Sequence, residues 1–345
     1  MEYKKIYRKY AGKILCLCAA LSLLIAGCSP FVKENHPVYV QDNSFSEENF
    51  PVTVENINSK GEPVEEIFTA PPERVVAVWQ NSIETILALG AGDRIVAGMG
   101  IPDRKYLLPQ YRETYDRIPY TSLENLDMET IMMMQPDLIV GWYSTFSAKT
   151  LRSTDFWQER GIHTYISPAS FHGTTHKTVE MEYQDILNMG KIFGREDKAY
   201  EIVNRMKDEI NSVTEKSKAA GLHRKGLIIE LQGKGISVYG SRTLAGDILN
   251  HVGGELLAPT ETQISAEELL ELEPDAIFVV TIESDYGHEE QILNRLYNNE
   301  ALRTLRCIQD RRIYTLPLYA VYSSGVRTYD GIQMIAQGLY PELYK

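Results

Sequence analysis

The sequence predicts an α/β protein of two related lobes joined by a single long helix. Three observations carry that prediction. Within 196–220, Ala199, Val203, Met206, Ile210 and Val213 recur at alternating spacings of four and three, with Glu201, Arg205, Lys207, Asp208 and Glu209 between them. That is the stripe of an amphipathic helix, and about 25 residues at 1.5 Å each would reach roughly 37 Å, enough to cross from one lobe to another. On either side the chain repeats itself: Glu129 stands eight residues before Asp137 and Glu267 eight before Asp275, each unit passing through a Pro (Pro136, Pro274) into an apolar run. Pro disfavours helix in the residue before it, so each unit reads as short helix, stop, buried strand. Strands and helices also alternate along both flanks, which implies mainly parallel sheets with ligands at the carboxyl ends of the strands.

The first 27 residues stand outside this fold. Lys4, Lys5, Arg8, Lys9 and Lys13 precede an apolar run over 14–26, a secretory h-region too short for a transmembrane span. The run ends in Ala26-Gly27-Cys28, which resembles the lipobox of bacterial lipoproteins and implies a lipid on Cys28 after cleavage. Cys16 and Cys18 leave with the signal, so Cys307 alone remains as a thiol, among Leu305 and Ile308, and reads as buried and inert. Neither a disulfide framework nor a Cys-based zinc site is possible within one molecule. The formal charge of −12 at pH 7 becomes more negative once the basic signal is removed. Such a chain is unsuited to nucleic acid and is steered toward a basic partner instead. Residues 28–50 are polar and unpatterned and read as a tether with a reach of at most about 80 Å.

The first lobe takes residues 51–178. Two β segments around Gly61 open it as a hairpin, followed by the strand from Arg74 to Val78, then Trp79 and a helix starting at Asn81. Asn81 with Glu84 three residues on reads as a capping box, so capping is the expected role of Glu84. Gly90 and Gly92 follow that helix, whereas a phosphate cradle precedes one, so they are weak evidence for nucleotide. The strand Leu138–Gly141 delivers Trp142 and Tyr143 to the same rim as Trp79.

Residues 179–220 form the connecting helix region, and 221–345 repeat the plan. Strands are expected at 226–231, 236–239, 276–280 and 312–316, and helices at 244–251 and 328–339. Arg327 lies at the mouth of the final helix, where a cation faces the positive end of the dipole and calls for an anion. A bound ligand or an Asp or Glu from a neighbouring loop would supply it.

Pro72-Glu-Arg74-Val-Val76 leading to Ile83-Glu84 and Gly90, the two Glu…Pro-Asp units, and Gly325-Val-Arg327 leading to Leu339-Tyr-Pro-Glu-Leu343 resemble the iron-complex and cobalamin class of ABC-importer substrate-binding lipoproteins. The resemblance covers nearly everything after Pro51. It implies two Rossmann-like lobes bridged by one rigid helix, with ligand in the cleft between them and only modest lobe closure. It implies that Glu129 and Glu267, one on the outer tip of each lobe, dock with arginines of a permease dimer served by separate ATPase subunits. Paired carboxylates on two pseudo-symmetric lobes suit such charge-assisted contacts. It further implies a cleft lined by Trp79, Trp142, Tyr143, Tyr239, Tyr322 and Arg327, holding a ferric siderophore-type complex, with haem or cobalamin as the alternative cargo. No resident cofactor or metal is expected. The implied protein is a monomer, lipid-anchored on the outer face of the cytoplasmic membrane.

Two rival readings are weaker. A zinc or manganese carrier would need converging His and carboxylate ligands, yet His163, His172 and His176 fall in or beside a stretch that reads as loop. A secreted two-lobed enzyme would need a catalytic motif, and the sequence holds no Gly-x-Ser-x-Gly, His-Glu-x-x-His or phosphate-loop pattern.

Overall fold

A computed structural model describes residues 49–124, 127–232 and 235–344, all within one unit spanning 42–345. The expected signal segment, the lipidation site Cys28 and nearly all of the tether lie outside the described residues.

The first strands, β1 (Val52–Ile57) and β2 (Pro63–Phe68), pair antiparallel as the expected hairpin. Alternation buries Val54 and Asn56 on one strand and Glu66 and Phe68 on the other, so one face of the ribbon covers the first lobe. The Asn56 amide exchanges two hydrogen bonds with the main chain of Ile166, and Glu66 bonds His163 at 2.9 Å. Both partners lie on the edge strand of the neighbouring sheet, whose exposed rim the hairpin thereby covers.

That sheet is built from β3 (Val75–Val78), β4 (Ile95–Met99), β5 (Tyr120–Ser122), β6 (Leu138–Gly141) and β7 (His163–Ile166), in the order β5-β4-β3-β6-β7. All its pairings are parallel. β3 and β6 are buried at every position, as strands covered on both faces must be. Its helices are α1 (Gln80–Ala88), α2 (Arg112–Tyr115), α3 (Met128–Met133) and α4 (Thr154–Gln158).

The connection holds two helices, α5 (Val179–Ile192) and α6 (Glu196–Ala219). α6 is the expected long helix, buried at Ala199, Val203, Met206, Ile210 and Val213. Its 24 residues span about 36 Å. Glu196 at its start meets Asn49, and Thr214 near its end donates to the His251 carbonyl of the second lobe. α5 runs the opposite way beside it. Val179 at its start donates to Asp247 of the second lobe, and Asn188 near its end donates to Glu55 of the hairpin. A Cβ on Gly190 would overlap that of Ala199, so only glycine permits this close crossing. The long helix is therefore one arm of an antiparallel pair.

The second lobe contains β8 (Lys225–Gln232), β9 (Gly235–Val238), α7 (Leu244–His251), β10 (Glu255–Leu256), β11 (Gln263–Ile264), α8 (Ala266–Leu272), β12 (Ala276–Thr281), α9 (Glu289–Tyr297), α10 (Arg306–Gln309), β13 (Ile313–Pro317) and α11 (Thr328–Leu339). The sheet order is β11-β9-β8-β12-β13, with β10 also on β8. β8, β12 and β13 are parallel, as expected. β9 and β11 run antiparallel, because two residues between β8 and β9 can close only a hairpin.

The repeated Pro-Asp units have a common job. Asp137 accepts from the Glu73 and Arg74 amides, and Asp275 from the Lys225 amide. The same aspartates return main-chain bonds from their amides to the carbonyls of Arg74 and Lys225. Each clamps the start of a central strand to its neighbour. One apolar cluster then runs through both sheets and the helix pair, and this holds the two carboxyl-end rims against each other.

Candidate functional site

The rims carry aromatic side chains because each parallel strand ends in a loop facing the other lobe. Trp79 follows β3, Tyr106 lies in the loop after β4, and Trp142 follows β6; from the second lobe come Tyr286 after β12 and Tyr319 and Tyr322 after β13. Trp79 and Trp142 stack at 4.9 Å and 22°. Trp142 meets Tyr322 edge-on at 5.4 Å, joining the lobes. A second bridge runs from Tyr106 to Tyr286 at 4.5 Å and on to Tyr319 at 5.8 Å. Offset and edge-on rings at such separations each contribute about 0.5–1.5 kcal/mol beyond the area they bury.

Trp79 is held under backbone strain. Its φ of 73° and ψ of 151° lie in a region that is essentially glycine's own and costs on the order of 1–3 kcal/mol. Its amide donates to the Met99 carbonyl at 2.8 Å. Gly100, at φ 90°, lies so close that a Cβ there would stand 2.9 Å from the Trp79 ring. The indole N–H groups of Trp79 and Trp142 are both buried, and neither has an acceptor among the described residues. An unmatched buried donor is costly, and here two of them flank the seam between the lobes.

The charges at the seam are largely spoken for. Arg327 is buried and pairs with Glu84 of the first lobe at 3.2 Å and with Asp330 at 2.7 Å. Its guanidinium lies 4.4 Å from the centre of the Tyr319 ring. The anion called for at the mouth of α11 is thus supplied by carboxylates of the chain itself. Glu84 also accepts from Gln80 and from the Leu108 amide, and burial raises its pKa although Arg327 pulls the other way. The expected capping role for Glu84 is corrected: α1 starts at Gln80 with no side-chain cap, because the carboxylate turns inward to the arginine. Lys177 lies over the Tyr322 ring at 4.4 Å and donates to the Ala169 carbonyl, with burial lowering its pKa.

Beneath the rings the lobes are tied through the main chain. Gly325 donates to Glu182 of α5 at 2.6 Å, and Val326 to the Thr85 hydroxyl of α1 at 3.4 Å. Burial, reinforced by the nearby Asp185, pushes Glu182 up to about 8. Burial likewise takes Asp185 up to about 6, against the Tyr165 and Ser167 hydroxyls.

The remaining expected residues are scattered. Tyr239 is half-buried in the second lobe and donates to Glu230 at 2.7 Å. Tyr143 does not join the ring stack; its hydroxyl donates to the Ser59 carbonyl and its ring packs on Phe171. It borders a cavity of about 440 Å³ shared with Ser59, Ser147 and His172. Glu129 and Glu267 are exposed in the first turns of α3 and α8, where the dipole favours a carboxylate. Asp127 and Ser265 cap those two helices in the same way. Cys307 is buried and its thiol is pushed up to about 11 by burial. His172 and His176 are exposed in a loop, and neither belongs to a metal-like cluster among the described residues.

Sequence reasoning missed Tyr106, Tyr286, Tyr319 and Lys177. The three tyrosines were open to the argument that found Trp79 and Trp142, since each follows the carboxyl end of a parallel strand. Lys177 follows the loop read only for its histidines.

The chain matches a family model described as periplasmic binding protein over residues 75–320. It is 24% identical over 346 aligned residues, covering 98% of this chain and 99% of the relative, to an uncharacterized ABC transporter substrate-binding lipoprotein, YvrC, of Bacillus subtilis. It is 22% identical to the vitamin B12-binding protein of Vibrio parahaemolyticus over 60% of this chain and 70% of that one. A crystal structure of a periplasmic binding protein from Veillonella parvula superposes with a TM-score of 0.82 at 44% identity, covering 85% of this chain and 93% of the other.

Proposed function

The chain belongs to the periplasmic binding protein family, and we propose that it serves as an ABC-transporter substrate-binding protein of the iron-complex, haem and cobalamin class, capturing a metal chelate of low net charge between its lobes and handing it to a membrane permease. Relatives carry the name of substrate-binding proteins, and a binding role is supported by the flat rings and indole donors that the seam presents. One observation carries the charge of the cargo. Arg327, the cation best placed to pair with carboxylate or catecholate oxygens, is already held by Glu84 and Asp330. Trp79, Trp142 and Tyr322 then offer apolar faces and two unmatched N–H donors. These suit a neutral complex carrying acceptor oxygens, such as a ferric hydroxamate. A corrinoid is the second reading, favoured by the similarity to a vitamin B12-binding protein. Glu129 and Glu267 would face the permease, and a lipid on Cys28 would hold the receptor at the outer face of the membrane.

Tryptophan fluorescence tests the cargo. Of three tryptophans, Trp157 is fully buried in α4, so it serves as an internal reference while Trp79 and Trp142 report the seam. The purified full-length chain is titrated with ferric hydroxamate, ferric catecholate and ferric citrate complexes, haem and cobalamin. Saturable quenching by ferric hydroxamate, weakened at least tenfold in Trp142→Ala, is expected. Saturation by cobalamin instead would move the cargo to the second reading. Preference for the multiply anionic catecholate or citrate complexes would overturn the charge argument.

A further inference from the structure

We infer that Glu180, Asp247 and His251 form a binding site for one divalent transition-metal ion of the zinc type, separate from the cargo seam. Glu180 comes from the first turn of α5, while Asp247 and His251 stand four apart on α7, a spacing that puts both on one helix face. Their ligating atoms all lie within 4.8 Å of one another. His251 Nε2 is 3.4 Å from Glu180 Oε1 and 3.5 Å from Asp247 Oδ2.

Those separations are too long for good hydrogen bonds, which fall near 2.7–3.2 Å. They equal the edge of a tetrahedron around a metal whose bonds are about 2.0–2.1 Å long, which is roughly 3.4 Å. The stoichiometry of the contact points the same way. One imidazole nitrogen carries at most one hydrogen and cannot serve two carboxylates at once. Two like-charged carboxylates nevertheless converge on it, and a divalent cation would answer all three groups together. The oxygen of Asp247 that faces His251, Oδ2, also accepts from the Val179 amide at 2.8 Å, which fixes the carboxylate in place and leaves that oxygen one lone pair for the ion.

One nitrogen and two oxygen donors suit Zn²⁺, Co²⁺ or Ni²⁺ rather than Ca²⁺ or a thiolate-seeking ion. Glu180 is 62% exposed and His251 36%, so a water can complete the shell. The position gives the ion a structural effect. It would clamp the start of α5 to the second lobe.

The test is calorimetric titration of the EDTA-stripped full-length chain with zinc chloride, alongside Co²⁺ absorption spectra. Wild type should bind one zinc at this site and give the visible bands of low-coordinate cobalt. His251→Ala and Glu180→Gln should each lose at least tenfold in affinity and lose those bands, while His176→Ala should keep both. Thermal melts in EDTA establish that the variants fold, and zinc should raise the melting temperature of wild type but not of His251→Ala. Zinc binding unchanged in His251→Ala and Glu180→Gln, or a folded wild-type chain that binds no zinc, would overturn the inference.

Discussion

Replacing Arg327 by Met decides whether this arginine serves the cargo or the seam. Glu84 and Arg327 are both buried and 3.2 Å apart. At an effective dielectric of about 20 their attraction is about 5 kcal/mol, most of which offsets the cost of burying two charges. Glu84 shows that balance directly, since burial raises its pKa even with the arginine beside it. Met keeps much of the volume and removes the charge, leaving two carboxylates without the guanidinium: Glu84, whose remaining donors are Gln80 and the Leu108 amide, and the largely buried Asp330. Breaking such a pair costs about 3–5 kcal/mol, and a value near 3 is expected because the carboxylate can escape by taking a proton. That escape sets the pH dependence. A carboxyl raised in the folded state binds protons more tightly there than when unfolded, so its contribution to stability is largest below the unfolded value of about 4.3 and is lost as pH rises. Arg327→Met therefore costs about 3 kcal/mol at pH 8, with a melting point lower by roughly 6 °C, and under about 1 kcal/mol at pH 4. Urea unfolding at the two pH values measures it, and adding Glu84→Gln should recover the share of the loss at pH 8 that Glu84 causes, while the unpaired Asp330 keeps the rest. A variant as stable as wild type at pH 8, yet unable to bind cargo, would refute the assignment.

Gly100→Ala forces a Cβ to within 2.9 Å of the Trp79 ring at a φ of 90°; it should cost about 1–3 kcal/mol and weaken cargo binding at least tenfold in the fluorescence titration. Glu129→Ala and Glu267→Ala alter exposed side chains, so neither should change the unfolding free energy from urea titration by more than about 0.5 kcal/mol, while the pair should abolish stimulation of the importer's ATPase by the loaded receptor. Intact stimulation would remove both glutamates from docking. Cys307, buried and with its thiol pushed up to about 11, should resist a thiol reagent in the native protein and react only on unfolding, as a timed labelling assay in urea would show.

Elements whose evidence is local were legible in the sequence. The stripe at Ala199, Val203, Met206, Ile210 and Val213 is the buried face of α6, and α7 and α11 carry the expected bounds. The repeated Pro-Asp gave the matching centre of both sheets, because one carboxylate clamping two adjacent strands is a requirement of the unit itself. Pairings between distant segments were not legible. Nothing in the spacing of Asn81 and Glu84 separates a cap from a carboxylate bound to an arginine 243 positions away. The first arm of the connection was hidden for a related reason. Val179, Tyr183, Ile186 and Met189 form a stripe of their own, but only the small side chains at Gly190 and Ala199 tell that it folds back. The antiparallel β9 had a signal that went unread: the four residues between the expected strands at 226–231 and 236–239 leave room for a hairpin and not for a parallel crossover.

The two arms bear on how the receptor can open. A single helix bends about one point, whereas antiparallel helices packed along their length resist shear between the lobes they join. α5 adds a further tie, since Glu182 on it receives the Gly325 amide and so fastens the second lobe's Gly325–Arg327 turn to the connection. Movement is thereby confined to the rim side of that tie, where the lobes meet through rings rather than through main-chain bonds. On the proposed reading, cargo entering the seam would part Trp142 from Tyr322, giving up an edge-on contact of about 1 kcal/mol. It recovers more than that if it accepts hydrogen bonds from the two unmatched indoles, each worth about 1 kcal/mol or more once satisfied. Strain at Trp79 keeps one of those donors at the seam in advance, so the ordering cost falls on folding rather than on binding. The motion expected on this reading is a small separation of rims rather than a wide hinge, and solution scattering should then show little compaction when cargo is added.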